Sequence, residues 1–445
     1  MQKVSTTLNK NTDIHQSLNY FLDDVQAWID HAISDNQEKL PIRNHDHLTF
    51  TTAWEPYINT RGHNRALAFM TEKRDAARAS WERKGLWQHG YWKNQEAHHG
   101  TEHFELFMAT LWRLNPSDGK TVRQFEDMAE HLGNWSSDVP DWFDWDKGIY
   151  HSMHFGTKTV SDEQAAQVNI ADHFRCLNLS IMAFEMTGHQ RYRDLFELYG
   201  ANWARAILAR ENNLPVGLNE NGGVFELSET EEAARLAVAR LAPDTVGLLN
   251  RAENFLCSDA PRSLLKLWKL TGEGMYKQAS EKLIDALCAD IESPTGGPVA
   301  DAVRVYWEMT GDNQFNDRVL AVINRKHVFS ITELAMVPKV KRDRRPPGVV
   351  GIRKDMPGWY ENGDLYQANP ITMAAAACMT GDEELAAKSI ELARAYFTLA
   401  RGVYPHGEDH GCSARSVSAI ARGHGRNNHA GVLTAVLAPV QKYFG

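Results

Sequence analysis

The chain has 445 residues, 43% of them apolar and 24% charged, ordinary values for a globular protein and long enough for one large domain or two or three smaller ones. Its net charge of −9 argues against a nucleic-acid binder, and no run approaches the 18 apolar residues that a membrane-spanning helix needs. Five scattered cysteines (Cys176, Cys257, Cys288, Cys378 and Cys412) show neither a disulfide framework nor a zinc spacing.

In chain order, residues 1–10 lack the apolar core of an export signal, which places the chain in the cytoplasm as written. A trimmed signal would instead make it periplasmic or secreted. Residues 1–40 read as a helical extension. Residues 92–103 then carry the densest chemistry: Trp92, Glu96, His98, His99, Glu102 and His103, running directly into an apolar helical pattern from Phe104 to Leu114. A core does not need three imidazoles and two carboxylates there; a site that moves protons or grips an anion does. His99 and His103 share a helix face if the helix begins at Gly100. A divalent metal at His98, His99 and His103 is conceivable, but no His-Glu-x-x-His motif supports it, so no cofactor is expected.

Tyr150, His154, Asn169, Asp172, His173 and Asn178 form a weaker polar set, of which His173 and Asn178 serve equally well as ordinary polar groups at a helix start. Further along, one phrase recurs: Phe184-Glu-Met-Thr-Gly188, Trp268-Lys-Leu-Thr-Gly272, Trp307-Glu-Met-Thr-Gly311 and Cys378-Met-Thr-Gly381. Each reads as a helix ending at a glycine cap before the next helix begins. Residues 111–119 look like a longer version of that turn. The four glycines are spaced 84, 39 and 70 residues apart, close to one or two helical hairpins each. The segments between them carry helical periodicity, with short extended pieces expected near 222–225 and 349–352. The opposite connections (92–101, 150–170, 253–260, 293–300, 338–369 and 402–412) are long and chemically rich, so they should gather at one rim. Asn369-Pro370 has the N-cap and first-position residues of a helix start.

Two of those loops add candidates. Residues 358–366 hold Trp359 for stacking on a sugar ring, Tyr360 and Tyr366 for proton transfer, and Glu361, with cations nearby in sequence. Residues 404–429 hold His406, His410, Arg415, Arg422, Arg426 and Asn428, residue types suited to carboxylate and hydroxyl groups.

The hairpin cadence and the Thr-Gly-Asp turns resemble those of the (α/α) toroid carbohydrate-active enzymes, the six-hairpin glycosidases and toroid polysaccharide lyases, over about residues 100–440. The resemblance implies an all-α fold, an (α/α)6 or (α/α)7 toroid (an incomplete barrel) with long loops on one rim, formed as a single domain over 1–445. It also implies a carbohydrate held in a cleft at that rim. The partner expected is an acidic oligo- or polysaccharide, with no nucleic acid and no membrane; no oligomeric state follows.

The reaction that suits these loops best is β-elimination on a uronic-acid glycan of the glucuronan or alginate kind. It needs groups to neutralise the C5 carboxylate, a base for the C5 proton and an acid for the departing O4. The catalytic candidates are Tyr360, His99, His103, Tyr366 and His406. The substrate-binding candidates are Trp92, Glu102, Asn178, Trp359, Glu361, His410, Arg415, Arg422, Arg426 and Asn428. A six-hairpin hydrolase is the alternative, with its carboxylate pair drawn from Glu96, Glu102, Glu361, Asp364, Glu408 and Asp409. Sugar epimerases or isomerases and a non-catalytic helical-repeat scaffold are further alternatives. Gly-rich phosphate loops and a Gly-x-Ser-x-Gly elbow are missing.

Overall fold

The structure is a computed structural model that describes residues 13–36, 46–211, 214–225, 255–256, 258–291, 296–325, 335–337, 358–360, 370–403 and 433–445. These residues are mostly helical, with a few strands of two or three residues, so the all-α class and its hairpin construction are observed. The chain divides into two compact units, 74–287 and 1–73 with 288–445. No helix among the described residues is long and apolar enough to cross a membrane.

In the 74–287 unit the hairpin Phe174–Thr187 and Gln190–Leu208 packs beside the hairpin Ala260–Thr271 and Gly274–Leu287. Leu267 and Tyr276 of the second hairpin approach Gly200 of the first beside Leu177, and Leu177, Ile181, Phe196, Trp203, Leu264 and Leu283 are all buried. Ahead of these runs one continuous helical rod of three segments: Ala97–Glu102, His103–Met108 and Ala109–Leu114. Its middle segment is π-helical, the Ala109 amide reaching the Phe104 carbonyl five residues back. Short strands tie the loops in front of the rod. Gln95–Glu96 pairs antiparallel with His154–Phe155, and Asn169–Ile170 with Gly217–Leu218, which also pairs with Val224–Phe225. The extended piece expected near 222–225 is therefore present, whereas 349–352 lies outside the described residues.

In the other unit the helix Pro370–Thr380 is buried at every position from Pro370 to Cys378. Its run of alanines lets Gly296–Thr310 and Glu383–Val403 close on different sides of it. Pro370 holds the first helical position, as expected; Asn369 lies outside the described residues. The helix Ile14–Asn36 is no loose extension. Phe21 and Trp28 meet Phe397 edge-on at 5.5 and 5.6 Å, and Asp24 accepts from Arg394 at 2.5 Å.

The recurring Thr-Gly turn has one construction at all four sites. Gly188, Gly272, Gly311 and Gly381 adopt φ between 70 and 78°, and each amide donates to the carbonyl four residues back at 2.8 Å. The preceding threonine hydroxyl donates to its own i−4 carbonyl at 2.7–2.8 Å. At Thr187, Thr271 and Thr310 the same hydroxyl accepts the amide two residues on. Threonine thus closes the last helical turn while glycine supplies the left-handed residue. Residues 111–119 depart from this pattern. Gly119 opens the next helix, Gly119–Ala129, with Asp118 as its N-cap accepting from Lys120 N–H at 3.0 Å.

A Cβ at Gly272 would meet nothing within 4 Å, so the constraint there is dihedral rather than steric crowding. Gly272→Ala is expected to cost about 1–2 kcal/mol and Thr271→Val about 1 kcal/mol, read as shifts of the urea midpoint. An unchanged midpoint in both would sink this account of the turn.

Candidate functional site

The site begins at the first turn of the 97–114 rod. Glu96, in extended conformation, caps that turn, its carboxylate accepting from the His99 amide at 3.2 Å and also meeting His99 Nδ1. The helix therefore starts at Ala97 rather than at Gly100. His98 and His99 lie with ring centroids 4.9 Å apart, and one ligand-type atom from each, together with Glu102, falls within 4.8 Å of the others. His98 Nδ1 stands 3.3 Å from Asp172 Oδ1, which joins the 92–101 loop to the segment just beyond 150–170. Glu96 is the register partner of His154 across the short β pairing, which brings a third imidazole into the same loops.

Burial alone would raise the Asp172 pKa, but His98, Arg175 and His173 outweigh it and hold the carboxyl at about 2. Asp172 is thus ionised throughout the physiological range. As an acceptor it fixes a proton on His98 Nδ1 and assigns the basic lone pair to Nε2. His98 and Asp172 keep 16% and 11% of their side-chain surface exposed, and His99 keeps 37%, so the cluster opens partly to solvent.

Below this mouth the rod is anchored by charge. Glu105, on the π-helical turn, and Arg175, on the 174–187 helix, form an ion pair at 2.8 Å with both side chains wholly buried. Asn178 completes it, donating to Glu105 Oε1 at 2.7 Å and to the Ser258 carbonyl at 3.1 Å, and accepting from Ser263.

Several expectations are corrected by this geometry. Asn178, expected to bind substrate, has its amide engaged inside the protein. His103, expected to transfer protons, is 4% exposed and turns into an aromatic cage. Trp81 and Trp87 meet it at 5.2 and 5.3 Å, and Phe107 packs at 5.4 Å. The metal-type grouping is consequently His98, His99 and Glu102, without His103. Glu102 is fully buried, its carboxylate turned to the two imidazoles and not to an outer surface. Trp92, expected to bind substrate, is half-buried against Trp87 and Trp81 at 4.7 and 5.1 Å.

His173 and Asn169 are likewise internal. His173 accepts from the Ile170 amide at Nδ1 and donates from Nε2 to the Ser152 carbonyl, and burial pushes its pKa down to about 4. Asn169 brackets the Tyr150 backbone and accepts from the Tyr199 hydroxyl. Trp359 and Tyr360 lie on the strand Gly358–Tyr360, paired antiparallel with Ala335–Val337 in the other unit. Glu361, Asp364, Tyr366, His406, Glu408, Asp409, His410, Arg415, Arg422, Arg426 and Asn428 all lie outside the described residues.

Sequence reasoning missed Glu105 and Arg175, although each is a charge at a buried phase of an apolar helix. It also missed a second ligand-type group, His89, His131 and Asp138. The available signal was the His89-Gly90 dipeptide between Trp87-Gln88 and Tyr91-Trp92, which reads as a hairpin turn.

No family model matches the chain, and no curated protein matches it. Among solved structures, a crystal structure of D-mannose isomerase superposes with a TM-score of 0.44 at 12% identity, covering 68% of this chain and 85% of that one. A likeness at that level transfers neither residue roles nor a substrate.

Arg175→Met leaves the Glu105 carboxylate buried without its counter-charge, so a loss of about 3–5 kcal/mol is expected in chemical denaturation. Adding Glu105→Gln should recover part of it. For His173 the unfolded imidazole binds a proton near the ordinary histidine pKa of 6.5 but the folded one only near 4. Its contribution is therefore full above 6.5 and lost as the pH falls toward 4, by an amount on the order of 3 kcal/mol. The denaturation midpoint should fall between pH 7 and 5 and fall less in His173→Gln; parallel pH profiles would refute this assignment.

Proposed function

We propose that the chain is an acid–base enzyme acting on a saccharide, with His98 and Asp172 as its proton-handling pair and β-elimination on a uronate glycan as its reaction. The saccharide class rests on the resemblance of the hairpin cadence to toroid enzymes. The acid–base role rests on one observation, the ionised Asp172 carboxylate at Nδ1 of a part-exposed His98.

In this reading His98 Nε2 removes the C5 proton. The electrons form the C4–C5 double bond, and O4 departs with a proton from a second group. His99, paired with Glu96, is near enough in the chain and in space to be that donor. Among the described tyrosines, Tyr91, Tyr150 and Tyr199 are buried and their pKa values are pushed far up, so they stay phenols and are unsuited to act as base.

The test is an assay of the full chain on glucuronan, alginate and a neutral polysaccharide, following both reducing ends and the ultraviolet absorbance of a 4,5-unsaturated uronate. Absorbance should rise with the uronates only. His98→Asn should lower kcat at least about a hundredfold, and Asp172→Asn about ten- to a hundredfold, with the circular dichroism retained. Reducing ends without absorbance would replace the lyase by the hydrolase. Binding without turnover, unaffected by His98→Asn, would replace the enzyme by a scaffold.

A further inference from the structure

Apart from the site above, the hairpin at 87–92 carries a second cluster. Trp87 pairs with Trp92 and Gln88 with Tyr91, leaving His89 and Gly90 as a two-residue turn with φ of 52 and 87°. Two successive positive φ values are the signature of a type I′ turn, whose preferred first residue is asparagine or aspartate. Histidine is tolerated in the left-handed region, though asparagine and aspartate are the commoner choices at this turn position.

His89 Nδ1 lies 2.7 Å from Asp127 Oδ1, and Nε2 lies 2.6 Å from Asp138 Oδ2. The His131 ring stands with its centroid 4.6 Å from that of His89. His131 is 1% exposed, and neither of its ring nitrogens has a hydrogen-bond partner among the described residues. Two buried imidazole nitrogens without partners are costly. One ligand atom each from His89, His131 and Asp138 lies within 4.8 Å of the others.

We infer that His89, His131 and Asp138 form a binding site for a divalent transition-metal ion of the zinc type. Two imidazoles and one carboxylate are a borderline donor set that suits zinc and its first-row neighbours better than magnesium or calcium. Asp127 then does what an outer carboxylate does at such sites: it holds Nδ1 and aims Nε2 at the ion. Ligand atoms about 2.1 Å from zinc sit roughly 3.4 Å apart in a tetrahedron, so Asp138, which also accepts from Gln88 and Ser136, must withdraw by less than about 1 Å from His89. Its side chain is 49% exposed and can do so. The three protein ligands reach from the hairpin turn, from just beyond the 119–129 helix and from the loop before residue 143, and the ion would clasp them together.

The experiment uses the full chain, stripped with chelator and titrated with zinc chloride by calorimetry, with thermal melting alongside. One zinc per chain is expected, with a rise in Tm on binding. His89→Asn keeps the turn, and favours it, while removing a ligand. It and Asp138→Asn should each weaken zinc at least about tenfold and abolish the Tm rise, and His98→Asn should bind as the wild type does. No stoichiometric binding to the wild-type chain would overturn the proposal. So would His89→Asn with unchanged affinity, or loss of binding in His98→Asn alone, which would move the ion to the His98, His99 and Glu102 group.

Discussion

The buried pair of Glu105 and Arg175 is the constraint around which the 74–287 unit is arranged. Removing two full charges from water is costly, and their mutual attraction repays it only when the geometry is good and the remaining polar atoms are satisfied. Asn178, itself held by Ser263 and the Ser258 carbonyl, adds a hydrogen bond to the Glu105 carboxylate. The pair locks the middle of the 97–114 rod to the 174–187 helix, and His98 and Asp172 sit at the N-terminal ends of those two elements. His98 is in the first turn of the rod, and Asp172 lies just ahead of the 174–187 helix. Their 3.3 Å approach is thus set from below, by an ion pair one or two turns deeper.

The same arrangement explains the π-helical turn. An α-helical ladder through 103–108 would rotate everything before it by a fraction of a turn relative to Glu105. The wider turn absorbs that difference, letting Glu105 face Arg175 while His103 enters the cage of Trp81, Trp87 and Phe107. The aromatic cage and the ion pair are alternatives for adjacent faces of one helix, and the register change allows both.

What could be read in the chain follows how local its cause is. The Thr-Gly turns were legible because the hydroxyl, the left-handed glycine and the carbonyls they serve all lie within six residues. The all-α class and the 222–225 strand were legible for the same reason. The richness of 92–103 was visible, but its division was not. A helix start three residues earlier than Gly100, fixed by the Glu96 cap, turned His98 and not His103 toward Glu102 and Asp172. Asn178 looked like a ligand-binding amide because Glu105 and Ser263 are 73 and 85 residues away from it in sequence. Residues 111–119 resembled a glycine-capped turn, yet Asp118 took the capping role and Arg74 fastened it, reaching Asp118 and Thr121 across more than 40 positions.

The open space over the Thr-Gly glycines has its own significance. With no described atom within 4 Å of a Cβ built at Gly188, Gly272, Gly311 or Gly381, those corners are suited to cutting, extending or rejoining the chain. They are natural places to graft a fluorescent reporter or a purification handle.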